Sequence, residues 1–129
     1  KALNIAIKEY HRYENINEVI EDFHLTLDRL DYRLSRYSGE RLRASLAIGY
    51  ASNKIIYCFP WMNTACFHDT ILSSGVFRFF KKLKSEGCII MLPTSRKENV
   101  IGLVDEVIEI NNPRFKNVIS KHPYFIEHF

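Results

Sequence analysis

The 129-residue sequence has no run of five or more like charges, no Cys-x-x-Cys pair and no apolar stretch longer than the eight residues Ile55 to Met62. Each absence removes a class of protein. Without a block of like charge, the 18 basic and 15 acidic residues give only a formal +3, which reads as a solvated surface and lends little support to nucleic-acid binding by this segment. Eight apolar residues fall far short of the roughly 20 that a membrane helix needs, and Lys-Ala-Leu-Asn is not the start of a signal peptide, so a cytoplasmic chain without membrane contact is expected. The cysteines, Cys58, Cys66 and Cys88, are odd in number, widely spaced and set in apolar segments. They indicate neither a disulfide framework nor a zinc site, and are expected to be buried small hydrophobes. Catalytic signatures are missing too, since there is no G-x-S-x-G, no P-loop and no G-x-G-x-x-G.

What is present suits one globular domain spanning residues 1–129. Hydrophobic residues make up 47% and charged residues 26%, which excludes disordered, collagenous and low-complexity chains. Leu3, Ile5 and Ile7 alternate with Ala2, Asn4 and Ala6, as in a strand covered on both faces. From Asn15 the apolar residues Ile16, Val19, Ile20, Phe23, Leu27 and Leu30 recur at three- and four-residue steps, predicting a helix of about four turns with Asn15 or Asn17 as N-cap. Tyr32 to Tyr37 alternates as an edge strand, and Leu42, Leu46 and Ile48 suggest a short helix ending near Gly49. Lys54 to Phe59 reads as a buried central strand stopped by Pro60.

The longest helical pattern covers Ala65 to Glu86, with Thr64 as N-cap and Gly87 as the stop. Arg78, Lys81, Lys82 and Lys84 lie near its end, where cations complement the helix dipole. Cys88 to Leu92 is a fourth strand stopped by Pro93, Asn99 to Val104 a short helix and Glu106 to Ile110 a fifth strand. The tail from Arg114, with Phe115, Tyr124, Phe125 and Phe129, is expected to pack on the body or on a partner. Strands alternating with helices predict an α/β fold: a three-layer, five-stranded parallel sheet in the order 2-1-3-4-5, flavodoxin-like, with ligands bound beyond the carboxyl ends of the strands.

Asp22 to Leu30, Tyr37 to Ser45, Lys54 to Thr64, Leu83 to Ser95 and Leu103 to Ile108, in this order and spacing, resemble the sugar isomerase (SIS) fold, in particular the effector-binding half of RpiR-type transcriptional regulators. The resemblance implies a non-enzymatic, cytoplasmic sensor of carbohydrate metabolism that forms a homodimer or tetramer, takes no cofactor and contacts DNA through a helix-turn-helix domain outside this chain. It also implies a phosphosugar held by a Gly- and Ser-rich loop after strand one and a Ser-x-Ser-Gly-x-Thr loop after strand three. Here those loops read Glu9-Tyr10-His11-Arg12-Tyr13-Glu14-Asn15 and Phe59-Pro60-Trp61-Met62-Asn63-Thr64, in which only Thr64 matches, so the phosphosugar site is altered or lost.

Two readings of these loops compete. Arg12, Asn15, Trp61, Asn63 and Thr64, with Thr94 and Ser95 beyond strand four, would bind a small anionic or sugar-phosphate effector between aromatic walls, Arg12 being the phosphate fork. In the other, Asn15 and Thr64 cap helices while Tyr13 and Trp61 plug the cleft. A sugar-phosphate isomerase is the enzymatic alternative; its base would be Glu9, Glu14 or His11, and nothing in the spacing favours one. His11, His24, His68, His122 and His128 show no metal-ligand spacing. His24 reads as a helix-face residue and His68 with Asp69 as a surface pair.

Overall fold

The computed structural model describes residues 1–31 and 38–110, the side chains of residues 38 and 39 excepted. The expected strand at Tyr32 to Tyr37 and the aromatic tail from Arg114, including His122 and His128, lie outside the described residues.

The five-stranded sheet is not what forms. Among the described residues there is one sheet of two parallel strands, β1 (Ile56–Cys58) and β2 (Ile89–Met91), set among helices. The two strands stand where the sequence predicts its third and fourth, and they pair in parallel as expected, Ile56 opposite Ile89 and Cys58 opposite Met91. The first and fifth predicted strands do not form. Leu3 to Ile7 lies inside α1 (Ala2–Tyr10), where Leu3 and Ala6 are buried and Ile5 is 46% exposed. An apolar run this short fits both periods, and the three-residue step from Leu3 to Ala6 decides for the helix. Residues 106–110 carry no strand, and Val107, Ile108 and Ile110 stand exposed, because no described strand offers them a ladder.

Helix α2 (Ile16–Asp22) starts where predicted. Asn15 Oδ1 accepts the amides of Asn17 and Glu18 at 3.0 and 3.3 Å, and the Glu18 carboxylate reaches back to the amide of Glu14. The helix ends two turns before Leu30, however. His24 takes the left-handed conformation (φ 49°) and the amide of Leu25 bonds the carbonyl of Ile20, a Schellman stop built on histidine where glycine is usual. A 3₁₀ turn, Leu27–Arg29, follows. Helix α3 (Ser38–Ala51) is longer than expected and packs against α1.

The predicted helix from Ala65 to Glu86 is broken into pieces: α4 (Thr64–Phe67), a π turn (His68–Ser73), a left-handed Gly75 (φ 74°), a 3₁₀ turn (Val76–Phe79) and α5 (Phe80–Ser85). The break follows from Ser74, whose hydroxyl donates to the carbonyl of Thr70 and accepts the amide of Val76, competing with the helical ladder. Gly87 (φ 78°) stops α5 as predicted. In place of the helix at Asn99 to Val104 there is a 3₁₀ turn, Lys97–Asn99.

The core gathers where α3, the π turn and the 3₁₀ turn before α5 meet, around Val19, Phe23, Ala47, Ile71, Val76 and Leu83, all without exposed surface. Phe23 stacks on Phe79 at 5.2 Å and tilts against Tyr50 at 5.5 Å. Among the described residues only one face of the sheet is covered: Tyr57 turns inward against Gly49 of α3, while Ile56, Cys58, Ile89 and Met91 look outward and stay exposed. Helices on both faces were expected. The cysteine expectation fails too: strand alternation puts Cys58 opposite in sense to Tyr57 and leaves it exposed, Cys66 on α4 is exposed, and Cys88 is half-buried. No helix among the described residues is long and apolar enough to cross a membrane.

Candidate functional site: a cationic pocket

The residues expected to form one site divide between the two ends of the sheet. At the carboxyl ends, the chain after β1 runs beside the chain after β2: the amide of Met62 donates to the carbonyl of Pro93 at 3.1 Å and the amide of Ser95 to the carbonyl of Met62 at 3.1 Å. This does bring Trp61, Asn63 and Thr64 close to Thr94 and Ser95. The side chains of Asn63 and Thr94 are engaged, though. Asn63 Oδ1 accepts the amide of Cys66 at 2.8 Å, so Asn63 and not Thr64 is the N-cap of α4, and Thr94 Oγ1 accepts from Asn99 Nδ2 at 2.7 Å. Trp61 is 55% exposed.

Arg12 stands at the amino ends instead. Its guanidinium lies 3.6 Å over the ring of Tyr50, donates to Asn53 Oδ1 at 3.2 Å and forms an ion pair with Glu86, the residue that ends α5. Tyr50 donates its hydroxyl to the same carboxylate. Glu86 thus fills the fork that an external phosphate would need. Beside it, Tyr13 donates to Asp22 at 2.6 Å and Lys82 pairs with Asp22, so Tyr13 is part of this network and no plug beside Trp61. Burial pushes the Asp22 carboxyl up, but the hydrogen bonds from Lys82 and Tyr13 outweigh it and leave the group below its ordinary range. Burial and the bond to Asp22 push the Tyr13 phenol far above its ordinary value.

One other constellation has the residue types of catalysis. His68 Nδ1 lies 3.4 Å from Asp69 Oδ1 and 3.3 Å from Ser73 Oγ on the exposed π turn. Both partners meet the same ring nitrogen, whereas a relay needs the acid on one nitrogen and the nucleophile on the other. Among the described residues, no group of three or more His, Cys, Asp or Glu is placed to hold a metal.

The strongest site is one the sequence reading passed over. A pocket of about 190 Å³ is lined by His24, Arg43, Ser74, Gly75, Arg78 and Phe79, none of them acidic. Three left-handed or tightly turned features build it. His24 sits on the Schellman stop of α2, Gly75 opens the 3₁₀ turn that carries Arg78, and the Arg78 chain folds back to within 3.7 Å of where a Gly75 Cβ would be. Arg43 reaches in from α3, and its Nε is buried without a hydrogen-bond partner. Neither Arg43 nor Arg78 forms an ion pair with a described residue, and Asp22, whose carboxyl feels the charge of His24, is held by Lys82 and Tyr13. Two arginines and a histidine without a carboxylate among the lining residues leave an anion as the natural complement.

Sequence patterns could not show this. Arg78 lies in the basic cluster explained by a helix dipole, His24 on a presumed helix face, and Arg43 in the stretch Tyr37 to Ser45, read only for its likeness to the SIS fold. The one legible signal was Ser73-Ser74-Gly75 interrupting a long apolar periodicity. No family model, no curated protein and no solved structure matches this chain.

Proposed function

We propose that the chain is a non-catalytic, cytoplasmic sensor domain whose effector presents an anionic head group, phosphoryl above all, to His24, Arg43 and Arg78. The observation that carries this reading is that two arginines, Arg43 and Arg78, line one pocket together with His24 and with no carboxylate among the lining residues. The volume of about 190 Å³ corresponds to roughly six waters at ~30 Å³ each, enough for a hydrated phosphoryl group. The resemblance to RpiR-type effector domains supplies the regulatory context: a homodimer or tetramer, with DNA contacted through a domain elsewhere. Its phosphosugar loops play no part in this reading, because the five-stranded architecture that would position them does not form.

The test is a thermal-shift and calorimetric panel of inorganic phosphate, sugar phosphates, unphosphorylated sugars and small carboxylates. A ligand at a hundred times its Kd adds about 2.7 kcal/mol, several degrees in Tm for a domain of this size. Arg43→Gln and Arg78→Gln each remove charge-assisted bonds worth about 1.5–3 kcal/mol, weakening binding roughly ten- to a hundredfold. A panel without any anion shift, or variants that bind as the parent does, would overturn the reading.

A further inference from the structure

Cys58 and Met91 are direct partners across the parallel β1–β2 register, on the face of the sheet that no described element covers. Their sulfurs are 3.7 Å apart, and both side chains are exposed, Met91 by 52%. We propose that this thiol–thioether pair binds a soft monovalent d¹⁰ cation, Cu(I) or Ag(I). Thiolate and thioether are the ligands that select such ions, while harder divalent cations prefer nitrogen and oxygen. The geometry is suitable. A metal about 2.3 Å from each sulfur, the length of a zinc–thiolate bond, would subtend roughly 107° across their 3.7 Å separation, an angle that leaves room for a third, exogenous donor. Both sulfurs hang from residues that the ladder holds directly opposite each other, so the two donors start on one face and within 3.7 Å. Charge balances as well. The Cys58 S–H bond breaks, its proton passes to solvent, and the new sulfur–metal bond joins a thiolate to a monocation, placing no net charge on an apolar face. This pair differs from Cys66, whose described neighbour is the hydroxyl of Thr70 at 3.6 Å, a hard donor.

The probe is Ag(I), which is redox-silent, titrated in chloride-free buffer into a C66A/C88A background that retains only Cys58. Native mass spectrometry should show one bound ion, and C58A in the same background none. Met91→Leu should weaken binding by at least about tenfold, since loss of a direct ligand costs no less than the ten- to hundredfold of a supporting residue. Retention of full affinity in M91L would reduce the site to a lone thiol and overturn the proposal, as would binding that survives C58A. A second measurement uses the unmodified chain. One equivalent of Ag(I) should shield Cys58 from iodoacetamide ahead of Cys66, which is also exposed, as mapped by peptide mass spectrometry; equal shielding would also overturn it.

Discussion

Asn15 and Asn63 turn their carboxamide oxygens onto backbone amides at the starts of α2 and α4, and their replacement separates a structural role from a ligand-binding one. Asn15→Ala and Asn63→Ala are each expected to cost about 1 kcal/mol of stability in chemical denaturation, with the Kd for anions unchanged in calorimetry. Arg12→Ala behaves alike. It removes a half-exposed ion pair to Glu86 and the stack on Tyr50, together about 1–2 kcal/mol, and leaves anion binding intact because Arg12 lines no part of the cationic pocket. Tyr57 is the contrasting residue. Its buried hydroxyl has no hydrogen-bond partner, so Tyr57→Phe should be neutral or stabilising in the same unfolding experiment.

At the scale of elements, the ends of helices build the pocket, and they do so at some cost in backbone comfort. His24 holds a left-handed conformation that glycine adopts freely and that costs other residues about 1–2 kcal/mol. His24→Gly is therefore expected to raise Tm while weakening anion binding, opposite signs that a purely structural histidine would not give. Gly75→Ala should act in one direction on both. The substitution strains a backbone at φ 74° by about 1–2 kcal/mol and shifts the turn that carries Arg78, so stability and affinity fall together. Thermal unfolding and calorimetry on the two variants check both expectations.

For the whole molecule, the pH dependence of stability follows from the network around α3. Burial pushes the Tyr57 phenol up to about 12, and the neighbouring Cys88 adds to it. A folded value above the unfolded one means that the contribution is whole below about pH 10, the unfolded phenol value, and is lost as the pH climbs toward 12. Tyr13 acts in the same sense. On the acid side, burial raises the Glu40 carboxyl, but the bonds it accepts from the Thr26 amide and Arg29 overcome this and leave it depressed, as at Asp22. Depressed carboxyls stabilise above their unfolded values and lose that contribution as pH falls below about 4. Denaturant midpoints measured across pH should form a plateau that declines at both ends. A midpoint that kept rising past pH 10 would contradict the burial of Tyr57.

Local chemistry was legible before any coordinates. The Asn15 cap, the Pro60 and Pro93 strand stops, the Gly87 helix stop and the parallel pairing of Ile56–Cys58 with Ile89–Met91 all depend on interactions within a few residues or on a β-rich run between breakers. Periodicity misled where one run fitted two periods, at Leu3 to Ile7, and where a hydroxyl and a left-handed glycine interrupted a helix that the apolar stripe alone would continue, at Ser74 and Gly75. The cationic pocket lay beyond such signals altogether. His24, Arg43 and Arg78 converge only because the end of α2, the face of α3 and the turn before α5 pack around Phe23 and Phe79, and non-local packing leaves no spacing in the chain from which it can be read.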